Sequence, residues 1–210
     1  MAQGPVVYDN DRPEMLAFVP ADVTSVLDVG CATGRFGAPL RAARPRAAIH
    51  GIDPTSHDDA RPNPYAARTT GMYPDDLPTG VRYDCIVCND VLEHMPDPWA
   101  ALTATRELLN DGGRVVASIP NVRHLTVLLP LVLKGRWHYD DSGILDRTHL
   151  RFFTRGSMRD LFEASGYEVL QVEPLRVTKP KSIGRVNRML GGVFTEFIAH
   201  QYAVVARARG

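Results

Sequence analysis

The sequence predicts a doubly wound α/β domain, a mostly parallel sheet with helices on both faces. Three observations lead there. Short apolar runs alternate with helix-like stretches between Ser25 and Ile119, the rhythm of parallel strands joined by right-handed crossovers. The first run ends in a glycine turn and the second in an aspartate, as strands do when their carboxyl ends face a cleft. The 210 residues are 44% hydrophobic and 23% charged, the proportions of a single globular domain.

Each element follows from local pattern. Ser25 to Val29 is a buried strand, and Phe36 to Arg44 a helix with Phe36, Leu40 and Ala43 on one stripe. Ala47 to Asp53 is the second strand. Residues 54–64, rich in Pro, Asp and Asn, form a loop, followed by a weak helix and a short third strand over Arg68 to Gly71. Tyr83 to Asn89 is the clearest strand. Asp97 then caps a helix that Pro98 starts, running to about Leu109 and stopping at Asn110-Asp111-Gly112-Gly113. Arg114 to Ile119 is the fifth strand. Thr154 caps a helix from Gly156 to Ser165, and strands near Tyr167 to Val172 and Phe197 to Ala206 close the sheet. The whole chain, 1–210, reads as one domain. Residues 120–153 break the rhythm and read as an inserted substrate lid, and 176–195 as a basic loop before the last strand.

Composition excludes several classes. Lys plus Arg equals Asp plus Glu, 24 against 24, so no chain-wide charge favours nucleic acid. The three cysteines, Cys31, Cys85 and Cys88, are an odd set partly within an apolar run, which argues for a reducing, cytoplasmic setting and against a disulfide framework. Cys85-Ile-Val-Cys88 has the spacing of a redox or zinc pair, but its place inside a strand predicts buried thiols. The first residues lack the basic and apolar regions of a signal peptide. The longest apolar run, Leu125 to Leu133, is too short to span a bilayer. A homodimer stays open.

The loops after the first, second, fourth and fifth strands face one cleft: Gly30 to Gly37, Asp53 to Thr55, Asp90 to Asp97, and Pro120 to His124. The first lacks the glycines of a dinucleotide fingerprint, because Ala32 and Arg35 stand where that pattern needs glycine, and it has no P-loop lysine. What remains is a tight turn with an acid, Asp53, placed for the two hydroxyls of a ribose.

In order and spacing, VLDVGCATGRFG, HGIDP, YDCIVCNDVLEHMPDPWAAL and LLNDGGRVVASIPN resemble the motifs of class I S-adenosylmethionine-dependent methyltransferases, over roughly residues 24 to 173. The resemblance implies a Rossmann-like seven-stranded sheet of order 3-2-1-4-5-7-6 with strand seven antiparallel, and S-adenosylmethionine as cofactor. It implies that Gly30, Cys31, Ala32 and Gly34 form the turn beside the methionine part, that Asp28 braces it, and that Asp53 holds the ribose. The Met72 backbone would meet the adenine, with Asn89 and Asp90 near the cofactor. Ala32 and Met72 depart from the usual glycine and aspartate.

For the acceptor, the lid offers Trp137, His138 and Tyr139 beside acids, a mixture that suits a sugar's apolar face and hydroxyl rim, or an ordinary lid loop with a solvated tip. His124 and Arg151 join the substrate wall. Asp146-Arg147-Thr148-His149-Leu150-Arg151-Phe152-Phe153 resembles a segment of bacterial sugar and polysaccharide methyltransferases. It also resembles a TH segment of ubiquinone-pathway O-methyltransferases. It implies His149 as general base, a role its ordinary pKa permits, with Asp146 and His94 beside it in catalysis. Asp90-Val91-Leu92-Glu93-His94 resembles the E-x-x-E-H pattern that holds a divalent cation in the ubiquinone-pathway enzymes. Asp90, Glu93 and His94 would then take Mg²⁺ or Mn²⁺; the alternative is a metal-free loop in which Glu93 and His94 only hold their own segment. The expected activity is O-methylation of a sugar or oligosaccharide. The alternatives are a small phenol or quinone precursor, or cofactor binding without catalysis.

Overall fold

β-Branched and aliphatic runs make the centre of one sheet. In the computed structural model, which describes residues 11–56, 62–177 and 194–209, the strands are β1 (Ser25–Val29), β2 (Ala48–Asp53), β3 (Ala67–Thr70), β4 (Tyr83–Asn89), β5 (Leu109–Pro120), β6 (Tyr167–Val177) and β7 (Ala199–Ala208). Their order is β3-β2-β1-β4-β5-β7-β6, with β7 antiparallel to both neighbours, as expected. The helices are α1 (Gly37–Ala43), α2 (Pro98–Thr105), α3 (Leu125–Lys134), α4 (Arg155–Ala164) and the short α5 (Thr195–Ile198).

Side chains alternate across each strand. Leu27, Val29, Ile86, Cys88, Val115 and Ala117 therefore join Leu102 of α2 and Met158, Leu161 and Phe162 of α4 in one core. Val26, Cys85, Val87 and Val116 meet Met15, Val19, Phe36 and Leu40 in the other. Cys85 and Cys88 thus lie on opposite faces of the sheet. A CxxC in a strand cannot pair, and all three thiols are free and buried.

Three elements differ from the sequence expectation. The helix after β4 stops at Thr105, and a 3₁₀ turn, Arg106–Leu108, leads into a β5 that begins at Leu109, opposite Tyr83. The Asn-Asp-Gly-Gly stretch is an irregularity within that pairing, made possible by Gly112 at φ +74°. No helix lies between β2 and β3 among the described residues. The lid contains α3, which the proline inside it concealed. Pro130 forfeits one backbone bond, but His124 caps the first turn and Gly135, at φ +61°, closes the last. No helix among the described residues is long and apolar enough to cross a membrane. Of the basic loop, residues 178–193, with Lys179, Lys181, Arg185 and Arg188, lie outside the described residues.

Candidate active site

The turn after β1 is closed by its own backbone and by the neighbouring strand. The N–H groups of Gly30 and Cys31 donate to the Ile52 carbonyl, and that of Gly34 to Cys31. Gly30 and Gly34 sit at φ +70° and +87°, and Ala32 takes the left-handed region at +40°. A side chain at 32 is therefore accommodated, held by Asp53, whose carboxylate accepts the Ala32 N–H at 2.9 Å and the Thr55 N–H at 2.9 Å. Arg68 donates to the Ala32 carbonyl. A carboxylate oxygen can accept more than one bond, so these amides leave Asp53 compatible with the hydroxyls of a ribose. Among the described residues no loop amide donates to Asp28. Its buried carboxylate accepts the Tyr65 hydroxyl at 2.6 Å. Burial pushes its pKa up to about 7, a rise that the Tyr65 bond opposes and the nearby Asp53 charge adds to.

The backbone of Met72, expected at the adenine, is engaged locally. Its N–H donates to the Asp76 carboxylate at 2.7 Å and its carbonyl accepts the Asp76 N–H, so this backbone closes a local turn. Its side chain is exposed. Asn89, at the end of β4, keeps both amide atoms buried and without a hydrogen-bond partner among the described residues.

The loop after β4 and the segment around His149 are stitched together. The Glu93 carbonyl accepts the N–H groups of both Leu150 and Arg151, at 2.8 and 3.0 Å. Arg151, expected on the substrate wall, reaches back to the Pro96 carbonyl and so acts as a further staple. His94 Nδ1 lies 3.2 Å from the Thr148 carbonyl, and His149 Nδ1 lies 3.0 Å from the Ile144 carbonyl. A carbonyl only accepts, so both Nδ1 atoms carry the proton and both Nε2 atoms carry a lone pair. The rings meet edge to face, centroids 4.7 Å apart. Burial lowers both imidazole pKa values, which keeps them neutral.

Beside them stands Glu93, 1% exposed, with neither carboxylate oxygen hydrogen-bonded among the described residues. Burial pushes its pKa up to about 8. One ligand atom from each of Glu93, His94 and His149 lies within 4.8 Å of the others. This differs from the set read in the sequence: His149 enters and Asp90 leaves. Asp90, at φ +55°, pairs instead with the guanidinium of Arg12 and accepts from Ser118 and Gln201, at 3.0 and 2.9 Å. Asp146 is buried and accepts the Thr148 N–H and hydroxyl, at 2.8 and 2.6 Å, so it shapes the turn that carries His149.

A cavity of about 700 Å³ joins these groups. Arg12, Asp90, Arg176, His200 and Gln201 line it together with Glu93, His94, Asp146 and His149. A second, of about 480 Å³, opens on the other side of His149, between Tyr139, Arg147, Leu150 and Phe152. Trp137 stacks edge-on to Phe152 at 5.0 Å. His138 is exposed and lines neither cavity. His124 lines neither cavity either. It caps α3 through Thr126 and lies 3.9 Å, centroid to centroid, from His200. Arg12, Gln201 and Tyr65 escaped the sequence reading. Each comes from outside the motif loops, and a lone Arg or Gln carries no spacing signal.

The sheet order, the glycine turn with its acid, and the polar loop after β4 define a cofactor-dependent transferase fold. The methyltransferase-domain family model matches residues 8–172, and the chain belongs to that family. It is a class I S-adenosylmethionine-dependent methyltransferase. The chain is 30% identical over 172 residues to a ubiquinone biosynthesis O-methyltransferase of Cereibacter sphaeroides, covering 78% of this chain and 67% of that one. It is 29% identical over 169 residues to the enzyme of that name in Xanthomonas oryzae pv. oryzae, covering 67% and 64%. The chain therefore spans about two thirds of the length of these curated relatives. Among solved structures, a SAM-dependent methyltransferase of Archaeoglobus fulgidus superposes with a TM-score of 0.63 at 16% identity over 92% of this chain and 90% of that one. The CcbJ methyltransferase of Streptomyces caelestis does so at 0.63 and 16% over 99% and 92%. These structural likenesses establish the fold alone.

Proposed function

We propose that the protein moves the methyl group of S-adenosylmethionine to an acceptor hydroxyl, with a divalent cation held by Glu93, His94 and His149. The observation that carries this reading is the Glu93 carboxylate, buried and without a hydrogen bond among the described residues, beside two imidazoles whose Nε2 atoms carry lone pairs. An orphaned buried carboxylate is costly by itself and fits a cation. A donor set of one carboxylate and two imidazoles suits Mn²⁺ better than Mg²⁺, which prefers oxygen. Such an ion would lower the pKa of a coordinated hydroxyl.

The chain's own residues do the rest. Asn89 ends β4 and Glu93 follows it, on the cofactor side by the resemblance, and the staple through the Glu93 carbonyl holds His149 against that side. Alignment of acceptor and methyl donor contributes most, up to about 7–11 kcal/mol. His149 Nε2 would be one of the ligands holding the cation in the loaded enzyme. In the cation-free enzyme it is the group able to take the acceptor's proton.

Two acceptor classes fit. A sugar hydroxyl is supported by the half-exposed Trp137 and Tyr139 around Phe152, flanked by the Arg147–Asp141 pair. A phenol or quinone precursor is supported by the names of the curated relatives. A panel of glycans and catechols with labelled S-adenosylmethionine decides between them: transfer only to phenols ends the sugar reading. For the cation, Mn²⁺ is expected to raise the melting temperature of the wild type but not of Glu93→Gln, and EDTA to abolish transfer. Unchanged turnover in EDTA removes the cation from the reading.

A further inference from the structure

We propose that Tyr65 is a positioning residue for the cofactor: wedged beneath the glycine turn, its hydroxyl holds Asp28 and its ring sets where residues 30–34 lie. Tyr65 stands in the stretch between β2 and β3, outside every motif loop. Its ring is 6% exposed, and its hydroxyl reaches Asp28 at 2.6 Å.

Three glycines from three elements make room for it. A Cβ at Gly34, in the turn, would lie 3.1 Å from the Pro64 ring and 3.3 Å from the Tyr65 ring. At Gly37, the first residue of α1, it would lie 2.5 Å away, and at Gly51 of β2 3.2 Å away. Gly34 needs its glycine for its backbone angle as well. Gly37 and Gly51 do not, because neither has a positive φ. Gly51 also faces Cys31 Sγ, at 2.8 Å from a Cβ, so the sulfur of the turn and the Tyr65 ring share its space. For Gly37 the ring is what explains the missing side chain.

Tyr65 therefore touches the sheet, the start of α1 and the turn at once. The groups that face Asp28 are Tyr65, Asp53 at the end of β2, Arg68 of β3, Cys88 of β4 and Cys31 in the turn. Arg68 is bonded to the Ala32 carbonyl. Without the phenol, Asp28 keeps a second carboxylate nearby and loses its neutral donor. The ring would then lose the anchor that fixes it against Gly34 and Gly37, the turn packed on it would be held less firmly, and cofactor affinity would fall.

Equilibrium dialysis with S-adenosylmethionine and S-adenosylhomocysteine tests this without an acceptor. Tyr65→Phe keeps the ring in its slot and removes only the hydroxyl. It is expected to raise both dissociation constants about ten-fold at pH 8. The deficit should narrow at pH 6, where Asp28 can take up a proton and no longer needs the donor. Combining Asp28→Asn with Tyr65→Phe should recover part of the lost affinity. Gly37→Ala, which pushes a methyl into the ring, is a further variant that should weaken binding with Tyr65 intact. Binding by Tyr65→Phe within about two-fold of wild type at both pH values overturns the proposal. So does a loss that is equal at both and unrelieved by Asp28→Asn, which would mark a packing role only.

Discussion

Gly30 sits where two loops touch. Its φ of +70° and the 2.7 Å that a Cβ would leave to Val91 Cγ2 are two separate demands for glycine. Gly30→Ala should cost about 1–2 kcal/mol for the left-handed backbone alone, with the steric part on top, and should weaken S-adenosylmethionine binding. Val91→Ala in the same chain should return the steric part and leave the backbone part. Thermal melts of the two variants separate them, and no recovery would mean that the loops do not press on each other there. This residue was legible in the sequence because a strand, a glycine turn and a helix fix where a positive φ is needed. Asp90 was not legible in the same way. Its place in the pattern suggested a cation ligand, but Arg12, from a segment with no motif, draws its carboxylate away. Glu93, one methylene longer, is left to face the imidazoles.

At the scale of elements, α3 shows how a cap can override a breaker. Its Pro130 and unbroken apolar run concealed a helix that His124 starts by accepting from Thr126 through Nδ1. Burial, and next the neighbouring His200, lowers the His124 pKa to about 4. The folded value lies below the unfolded value near 6.5. The cap's contribution is therefore complete above about pH 6.5 and lost as pH falls toward 4. Urea melts between about pH 7 and pH 4.5 should show the loss in the wild type and a flatter profile in His124→Asn, whose amide caps without titrating. Equal slopes would place the acid sensitivity elsewhere. The strands were legible element by element because period-two burial fixes both faces, and the same period shows why Cys85 and Cys88 cannot meet. The lid was not, because its aromatic cluster and its staples join residues whose spacing follows no helix or strand period.

For the molecule as a whole, the free thiols report on global opening. Burial pushes the Cys31 and Cys85 pKa values up to about 12 and that of Cys88 further up. The native protein should thus leave all three unmodified by a thiol reagent over the time in which the unfolded chain reacts fully. Fast labelling of one thiol in the native state would reveal local opening of its strand or turn. The lid's own attachment has a broader consequence. Asn121 and Phe153 bridge each other as parallel partners, and the Val122 N–H donates to the Phe153 carbonyl, so the lid leaves the sheet and returns to it at one point. A loop whose ends coincide can be lengthened, shortened or exchanged without shifting a strand. On the proposal that this segment forms the acceptor wall, residues 123–145 could be exchanged while β1, β2 and the His149 staple stay where they are. The scaffold would then keep its chemistry, and the choice of acceptor would follow the loop.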